Sequence, residues 1–329
     1  MKKSSLPIIP IFFATDDKYA PNLQVALQSI ISQASAKYEY HFHVLGESLS
    51  DKYIKQISAL TKGNVMATVH DMTELNRQRG GGFHCRDYYS KATYFRIFIP
   101  ELFPQYDKAI YLDCDVVLNA DISEMFNYHD LLSTDHYAAA VTCETCYTFE
   151  VFYKYVELYM GFKQPYYFNA GVLVLNLKAL RRDKFEEKFF DLLGKIKFEL
   201  IQDQDYLNAL FRGKVLFLPK VWNKIPVPKD DVTSENVKLV HYNLSFRPWR
   251  YDGILFEEIF WKHAKASPAY EELVEGKKNY GQDKKDFDNM WMGKLQELSI
   301  KHWELPIEQT YGWMHYTNSP IKSPPWVKD

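Results

Sequence analysis

Asp113 and Asp115 flank Cys114 directly after the apolar run Ala109-Ile110-Tyr111-Leu112. In extended backbone, residues two apart present their side chains on one side. Roughly 6–7 Å separates their backbones, so both carboxylates can reach one cation. Carboxylate oxygens suit a hard ion such as Mg2+ or Mn2+, with a diphosphate supplying further ligands. Such a triplet is common by chance, and acidic strand ends are usually solvated turns, so the motif needs company. His241 opens the segment His241-Tyr242-Asn243-Leu244-Ser245-Phe246-Arg247-Pro248-Trp249. A histidine after a strand is more often structural, but beside a carboxylate pair and the cation of Arg247 it becomes a candidate third metal ligand.

Two further segments carry polar groups at element ends. Phe168-Asn169-Ala170-Gly171 places a small polar turn at the mouth of a buried strand, where Gly171 lets a ligand approach the backbone. A simple loop entering a strand reads the same way. Gln202-Asp203-Gln204-Asp205 starts a helix with Asp203 as its expected N-cap, which accounts for one acidic residue but not the set.

These residues need a scaffold. Ile8 to Ala14 is a continuous apolar run, as in a strand buried on both faces. Leu23, Leu27, Ile30 and Ile31 then recur at helical spacing, and Phe42–Leu45 forms a second strand. Ser50 can cap a helix carrying Tyr53, Ile54, Ile57 and Leu60 that stops near Gly63, before a third strand at Val65–Val69. This βαβαβ rhythm predicts an α/β fold, a largely parallel sheet with helices on both sides. Ligands in such sheets bind beyond the carboxyl ends of the strands, where Asp113 and Asp115 sit. Gly80-Gly81-Gly82 breaks the rhythm with a mobile or tightly turned loop, a candidate lid or a plain surface connection. Tyr88–Phe98 reads as helix ending before Pro100. Later strands are expected at Ala109–Leu112, Tyr137–Val141, Gly171–Leu175, Val215–Leu218 and Val237–His241, and helices at Phe149–Met160, Lys178–Ile196 and Gln204–Phe211. After about Trp249 the character changes. Phe287, Met290, Trp291, Leu295 and Leu298 form a helical stripe and prolines crowd the end, so residues 1–250 are expected to form the main domain and 251–329 a helical and extended appendage.

The composition narrows the partners. Net charge is −2 over 329 residues, which leaves no basic field for nucleic acid. Aromatic residues reach 16%, which suits a packed core first and flat contacts with sugar rings second. Cys143 and Cys146 form a CxxC pair with no second pair to complete a zinc set, so with Cys85 and Cys114 they read as ordinary thiols of a cytoplasmic protein. The start of the chain reads as a buried strand rather than a signal peptide, because its apolar run is short and contains Pro10. No run approaches the roughly 20 apolar residues of a spanning helix.

Taken in order, Phe13-Ala14-Thr15-Asp16-Asp17 with Tyr19, Tyr94-Phe95-Arg96, Tyr111-Leu112-Asp113-Cys114-Asp115, Phe168-Asn169-Ala170-Gly171, Gln202-Asp203-Gln204-Asp205 and His241-Tyr242 with Arg247-Pro248-Trp249 resemble the retaining glycosyltransferases of family 8. That family includes bacterial lipopolysaccharide galactosyl- and glucosyltransferases and the glycogenins. The resemblance spans roughly residues 8–250 and implies a GT-A fold, a UDP-sugar donor (UDP-galactose or UDP-glucose) and a saccharide, lipopolysaccharide-type or glycoprotein acceptor. It implies that Ala14 and Asp16 hold the uridine and that Arg96 stands near the donor. It further implies that Asp113, Asp115 and His241 bind the metal, that Asn169, Ala170 and Gly171 line the sugar pocket, and that Asp203 and Gln204 lie beside the reacting carbon. The family's last motif usually reads His-Tyr/Phe-x-Gly-x-x-Lys-Pro-Trp. Here Leu244 replaces the glycine and Arg247 the lysine, keeping a charge that can fork onto two phosphate oxygens.

Imidazole beside carboxylates tilts the metal from Mg2+ toward Mn2+. A retaining glycosidase uses a carboxylate nucleophile. Gln204 is a poor one, so front-face attack is expected. Self-glucosylation of the glycogenin type and a non-catalytic UDP-sugar-binding module are the competing readings. Ten Lys/Arg balance ten Asp/Glu over residues 262–329, which is not a polybasic membrane arm. Trp291, Trp303, Trp313 and Trp326 could still make peripheral contact with lipid at the inner face of a membrane, or meet an acceptor, though packing on the main domain is the expected role.

Overall fold

The computed structural model describes residues 6–83, 90–227 and 231–317. Among the described residues nine strands form: β1 (Ile8–Thr15), β2 (Glu39–Gly46), β3 (Val65–Asp71), β4 (Lys108–Leu112), β5 (Val116–Leu118), β6 (Ala138–Thr142), β7 (Phe168–Asn176), β8 (Val215–Phe217) and β9 (Leu239–His241). Seven of them make one sheet in the order β3-β2-β1-β4-β7-β6-β8, flanked by helices, while β5 and β9 pair separately. The continuous apolar runs of β1, β4 and β7 are buried on both faces, which is why they alternate so little in sequence.

The expected parallel sheet is present with one exception. β7 runs antiparallel to both β4 and β6. Its N-terminal end therefore reaches the edge where the other strands have their carboxyl ends. Leu112 pairs with Val172, and the Asp113 amide donates to the Gly171 carbonyl at 2.8 Å. The small turn Phe168–Gly171 is thereby laid against the Asp113–Asp115 triplet. Strand β5, not expected from the sequence, is too short to stand out there. Its antiparallel ladder sets Val116 opposite His241, and the Tyr242 amide donates to the Asp115 carbonyl at 2.8 Å.

Several helix boundaries differ from expectation. Tyr88 lies outside the described residues, and the stretch after it is a 3-10 helix, Lys91–Phe98, whose cap Ser90 accepts from the Ala92 amide. It ends at Phe98, before Pro100 as expected, yet Pro100 does not stop the helical course of the chain. It sits in the first turn of the next helix, Ile99–Leu102, where a missing N–H is harmless. Phe149–Met160 resolves into Glu150–Lys154 and a π-helical turn, Tyr155–Tyr159. The single helix expected over Lys178–Ile196 is two, Leu177–Arg182 and Phe185–Lys195, broken at Lys184 with φ 53°. Ser50 holds its cap position without a side-chain cap bond. Asp203 is not an N-cap: Gln202 takes that position at φ 49°, freeing the Asp203 carboxylate.

After β9 come the helices Glu257–Lys265, Tyr270–Lys278, Gln282–Trp303 and Tyr311–Thr317. Their apolar residues share cores with the sheet domain. Phe256, Phe260 and Leu273 pack with Val25, Val117 and Tyr242, whereas Trp291, Leu295 and Tyr311 join Phe152, Tyr155 and Tyr206. The buried stripe of Gln282–Trp303 is Asp288, Trp291, Leu295, Ser299 and His302, while Phe287 and Met290 face outward. Asp288 tolerates burial because the Tyr251 and Tyr280 hydroxyls donate to it at 2.6 and 2.7 Å. Trp326 lies outside the described residues.

Candidate active site

Asp113, Asp115 and His241 each offer one ligand atom within 4.8 Å of the others. His241 Nε2 stands 3.2 Å from Asp115 Oδ1 and 3.9 Å from Asp113 Oδ2. On the far side of the ring, Nδ1 donates to Asn223 Oδ1 at 2.9 Å, and the Asn223 amide donates in turn to Asn169 Oδ1. An oxygen partner at Nδ1 keeps a proton there and leaves Nε2, which faces the carboxylates, as the nitrogen able to give its lone pair to a cation held between them. Burial works against a charged imidazole, but Asp115 and Asp113 outweigh it and raise the His241 pKa. Burial likewise opposes ionisation of Asp115, yet His241 and Arg247 carry its pKa below the usual value. The donor set could hold a divalent cation, and the backbone leaves room for these side chains. A Cβ on Gly171 would lie 2.4 Å from His241 Cε1 and 2.5 Å from Asp113 Oδ2.

Behind the triad, Arg96 is 4% exposed. Its guanidinium donates to Asp113 Oδ1 at 2.9 Å, pairs with Asp203 Oδ2 at 3.2 Å and bonds the Ala170 carbonyl and Thr93. It also stacks on the Tyr111 ring, whose hydroxyl donates to the same Asp113 oxygen. Asp113 Oδ1 is thus occupied from behind and Oδ2 is left facing His241. Arg96, expected beside the donor, spends its donors on these protein groups. Burial holds the Asp203 carboxyl up to about 6 despite Arg96.

The Gln202–Asp205 segment divides its work. Gln204 Oε1 accepts from the Ala170 amide at 3.0 Å and from Asn169 Nδ2 at 3.3 Å, while Nε2 donates to the Tyr167 hydroxyl and to Cys143 Sγ. Asp205 turns away from the pocket and accepts from the Tyr155 and Tyr167 hydroxyls and the Ile201 amide. Asn208 then ties the same helix to both backbone groups of Phe168. The small turn and the helix start are thereby locked together.

One pocket is lined by Ala14, Asp16, Arg96, Asp113, Asp115, Asn169, Ala170, Gly171, Asp203, Gln204, His241 and Arg247. All of the candidate residues meet there. The model for glycosyl transferase family 8 matches residues 10–253. The chain belongs to glycosyltransferase family 8. It is 27% identical over 296 residues to the lipopolysaccharide 1,2-glucosyltransferase of Escherichia coli (strain K12), covering 82% of this chain and 83% of that one. A putative glycosyltransferase of Haemophilus influenzae is 29% identical over 231 residues, covering 70% of this chain and 67% of the relative. Among solved structures, the galactosyltransferase LgtC with donor and acceptor sugar analogs superposes with a TM-score of 0.61 at 27% identity, covering 79% of this chain and 96% of LgtC. The bifunctional glycosyltransferase WbbM shares the fold with a TM-score of 0.69 at 24% identity over 85% of this chain, which spans about half (53%) of that longer protein. The architecture is that of the GT-A fold, with C-terminal helices added.

Within the family 8 site, some residues carried no motif. Asn223 lies in no pattern, yet it sets the His241 ring. Cys143 and Cys146 are buried thiols in the pocket wall. Cys85 lies outside the described residues. Leu244, where the family has glycine, has φ 51°, a left-handed conformation that glycine adopts without cost. Arg247 is 7% exposed and donates to the Tyr19 hydroxyl at 3.2 Å, on the Asp115 side of the pocket. Gly80–Gly82 form a 3-10 turn that does not line the pocket. No helix among the described residues is long and apolar enough to cross a membrane.

Proposed function

We propose that this glycosyltransferase moves a hexose, galactose or glucose, from a UDP-sugar to a saccharide or glycoconjugate acceptor with retention of configuration. The observation that carries the reading is the Asp113–Asp115–His241 cluster, seated against the Gly171 backbone and Gln204 in one pocket. The three side chains would hold Mn2+, with Mg2+ as the weaker alternative, and such an ion supplies charge neutralisation for the departing diphosphate.

The chain's own residues do the rest. Ala14 and Asp16, at the end of β1, take the nucleoside. Arg247 forks onto phosphate oxygens, where leaving-group stabilisation has the largest effect on rate. Asn169, Ala170 and Gly171 bound the sugar. Gln204 has its carbonyl oxygen engaged by two donors, which makes it a positioning group rather than a nucleophile. Asp203 is paired with Arg96 and Thr93. Front-face attack fits these engagements. The acceptor oxygen bonds to the anomeric carbon as the carbon–phosphate oxygen bond breaks, and the hydroxyl proton passes to the departing diphosphate. A lipopolysaccharide-type acceptor is the leading candidate, by analogy with the Escherichia coli relative.

The test is UDP release from UDP-glucose and UDP-galactose with Mn2+, with and without acceptor. Asp115→Ala should abolish transfer and substitution of His241 should weaken the Mn2+ dependence. If both variants keep full activity, the metal site is wrongly drawn. A sugar adduct trapped on Gln204 or Asp203 would exclude front-face attack.

A further inference from the structure

Cys143 and Cys146 read in sequence as ordinary thiols, but the fold gives them a setting that ordinary thiols lack. Cys143 directly precedes helix Glu144–Thr148, and Cys146 lies within it. Both are free and buried, and both line the pocket that holds Gln204 and His241. Cys143 Sγ collects polar partners. The Gln204 side-chain amide donates to it at 3.7 Å, the Thr145 hydroxyl lies 3.7 Å away, and the Cys146 thiol and backbone amide both donate to it. Burial opposes a thiolate there, but these donors outweigh it and bring the Cys143 pKa below the ordinary thiol value. Burial pushes the Cys146 thiol well up. Cys114, also buried in the pocket lining, is pushed up by burial too, and its thiol donates to the Ala14 carbonyl at 3.2 Å. An attacking thiol therefore stands in contact with a second, protonated one, the arrangement of a reactive CxxC pair.

The pair is tied to two parts of the active site. Gln204, whose amide reaches Cys143, holds the Ala170 amide and Asn169 through its carbonyl oxygen. Glu144, between the cysteines, accepts from the buried Lys224 ammonium at 2.5 Å and from the Ile225 amide at 3.1 Å. Lys224 directly follows Asn223, the partner of His241 Nδ1.

We propose that Cys143 and Cys146 are a redox pair that hydrogen peroxide closes to a disulfide, and that closure withdraws the sulfur partner of Gln204 and slows transfer. The effect on transfer rests on the reading of the pocket as a glycosyl-transfer site; the disulfide does not. At 2% and 3% exposed, these side chains exclude bulky oxidants, whereas a peroxide is close to water in size. The Cys143 thiolate attacks one peroxide oxygen and the O–O bond breaks. The departing hydroxide takes up a proton to become water, leaving a sulfenic acid on Cys143. Cys146 Sγ then attacks that sulfur, the S–O bond breaks, and the thiol proton leaves with the hydroxyl as a second water. Two thiols are oxidised and one peroxide is reduced. A thiolate accepts strongly and a disulfide sulfur weakly, so Gln204 Nε2 keeps only the Tyr167 hydroxyl of its two acceptors.

The experiment treats reduced full-length protein with hydrogen peroxide, removes the excess with catalase and alkylates the remaining thiols. Cleavage before aspartates releases residues 135–182, which carry Cys143 and Cys146 but neither Cys85 nor Cys114. That fragment should lose about 2 Da and both alkylatable thiols, and recover them in dithiothreitol. UDP release from UDP-glucose or UDP-galactose, measured with Mn2+ before alkylation, should fall roughly 10- to 100-fold and return with the reductant, since about 1 Å of misplacement at a positioning group costs that much. In Cys146→Ala the loss of about 2 Da should vanish and the fragment should gain about 16 Da instead. The parent fragment alone decides the matter if that variant folds poorly. A parent fragment that keeps both thiols while peroxide oxidises free glutathione in the same tube overturns the proposal, as does a closed disulfide with UDP release within about twofold of the reduced rate. If the reduced protein releases no UDP from either donor, the transfer reading fails by itself, and the fragment mass still supports or overturns the redox pair.

Discussion

Gly171→Ala isolates the proposed metal site from the rest of the fold. The added Cβ would lie 2.4 Å from His241 Cε1 and 2.5 Å from Asp113 Oδ2. Ordinary carbon contacts begin near ~3.5 Å, so each neighbour must retreat by about 1 Å. Ligand positions in metal sites hold to roughly 0.2 Å, so the shift is about five times what the site tolerates. Asp113 has little room to follow, because its other oxygen is held by Arg96 and Tyr111. His241 is held in the same way by Asn223. Metal affinity should therefore fall by at least the roughly 10- to 100-fold seen when supporting groups are lost. The clash is with side chains rather than backbone, so the protein should still fold, at a cost of about 1–3 kcal/mol. The assay is UDP release against Mn2+ concentration, alongside thermal unfolding in chelator. The control is Gly194→Ala, in helix Phe185–Lys195 with no atom within 4 Å of the new Cβ. It should leave activity unchanged and raise stability by about 0.5–1 kcal/mol. A Gly171→Ala protein with the parent's metal midpoint and rate would refute the reasoning.

Three more outcomes are expected. Asn223→Ala removes the acceptor at His241 Nδ1 and should lower metal affinity about 10- to 100-fold, read from the same titration; an unshifted midpoint would mean the ring is held by its burial alone. Lys184→Gly should stabilise the fold by about 1 kcal/mol, seen as a higher melting temperature, because it relieves the left-handed break at φ 53° and gives up only a surface pair with Glu187. His43 is stacked on Phe12, bonded to His70 and Tyr106, and held by burial and its histidine neighbours down to about 3 from 6.5. A depressed histidine contributes stability above its unfolded pKa and loses it as pH falls toward the folded one. Urea unfolding at about pH 7 and about pH 5 should therefore show a loss of about 2 kcal/mol from this group, absent in His43→Leu. Comparing variant with parent cancels the opposite slope of Asp288, which burial holds up to about 6. Equal slopes in the two proteins would contradict the assignment.

Much of this was legible in the residues. Strands β1, β4 and β7 were marked by apolar runs, since burial on both faces leaves no room for alternation. Asp113 and Asp115 were rightly placed together, but not by the two-residue period of extended chain: β4 ends at Leu112 and a turn at Cys114–Asp115 brings both carboxylates to His241. What was not legible depended on partners distant in sequence. Lys178–Ile196 reads as one amphipathic helix, and nothing local announces that Lys184 turns left-handed. The stripe expected at Phe287, Met290 and Trp291 assumed an apolar buried face, whereas the face buries Asp288 and His302 and leaves Phe287 and Met290 in water. Asp203 looked like a cap because its position was right by count. Only Arg96, held across the pocket, reveals its actual partner.

The sequence by itself determined the α/β class and named the carboxylates and imidazole that could together hold a cation, because backbone period and side-chain type are local properties. Tertiary structure alone decided the rest. The antiparallel course of β7 brings Asn169–Gly171 to the triplet, and the β5–β9 ladder carries His241 to Asp115. Asn223 fixes the ring, and helix Gln282–Trp303 brings Trp291 and Leu295 to the pocket lining. Those are long-range pairings whose energies come from hydrogen bonds and burial shared between distant segments, and no window of sequence contains both partners.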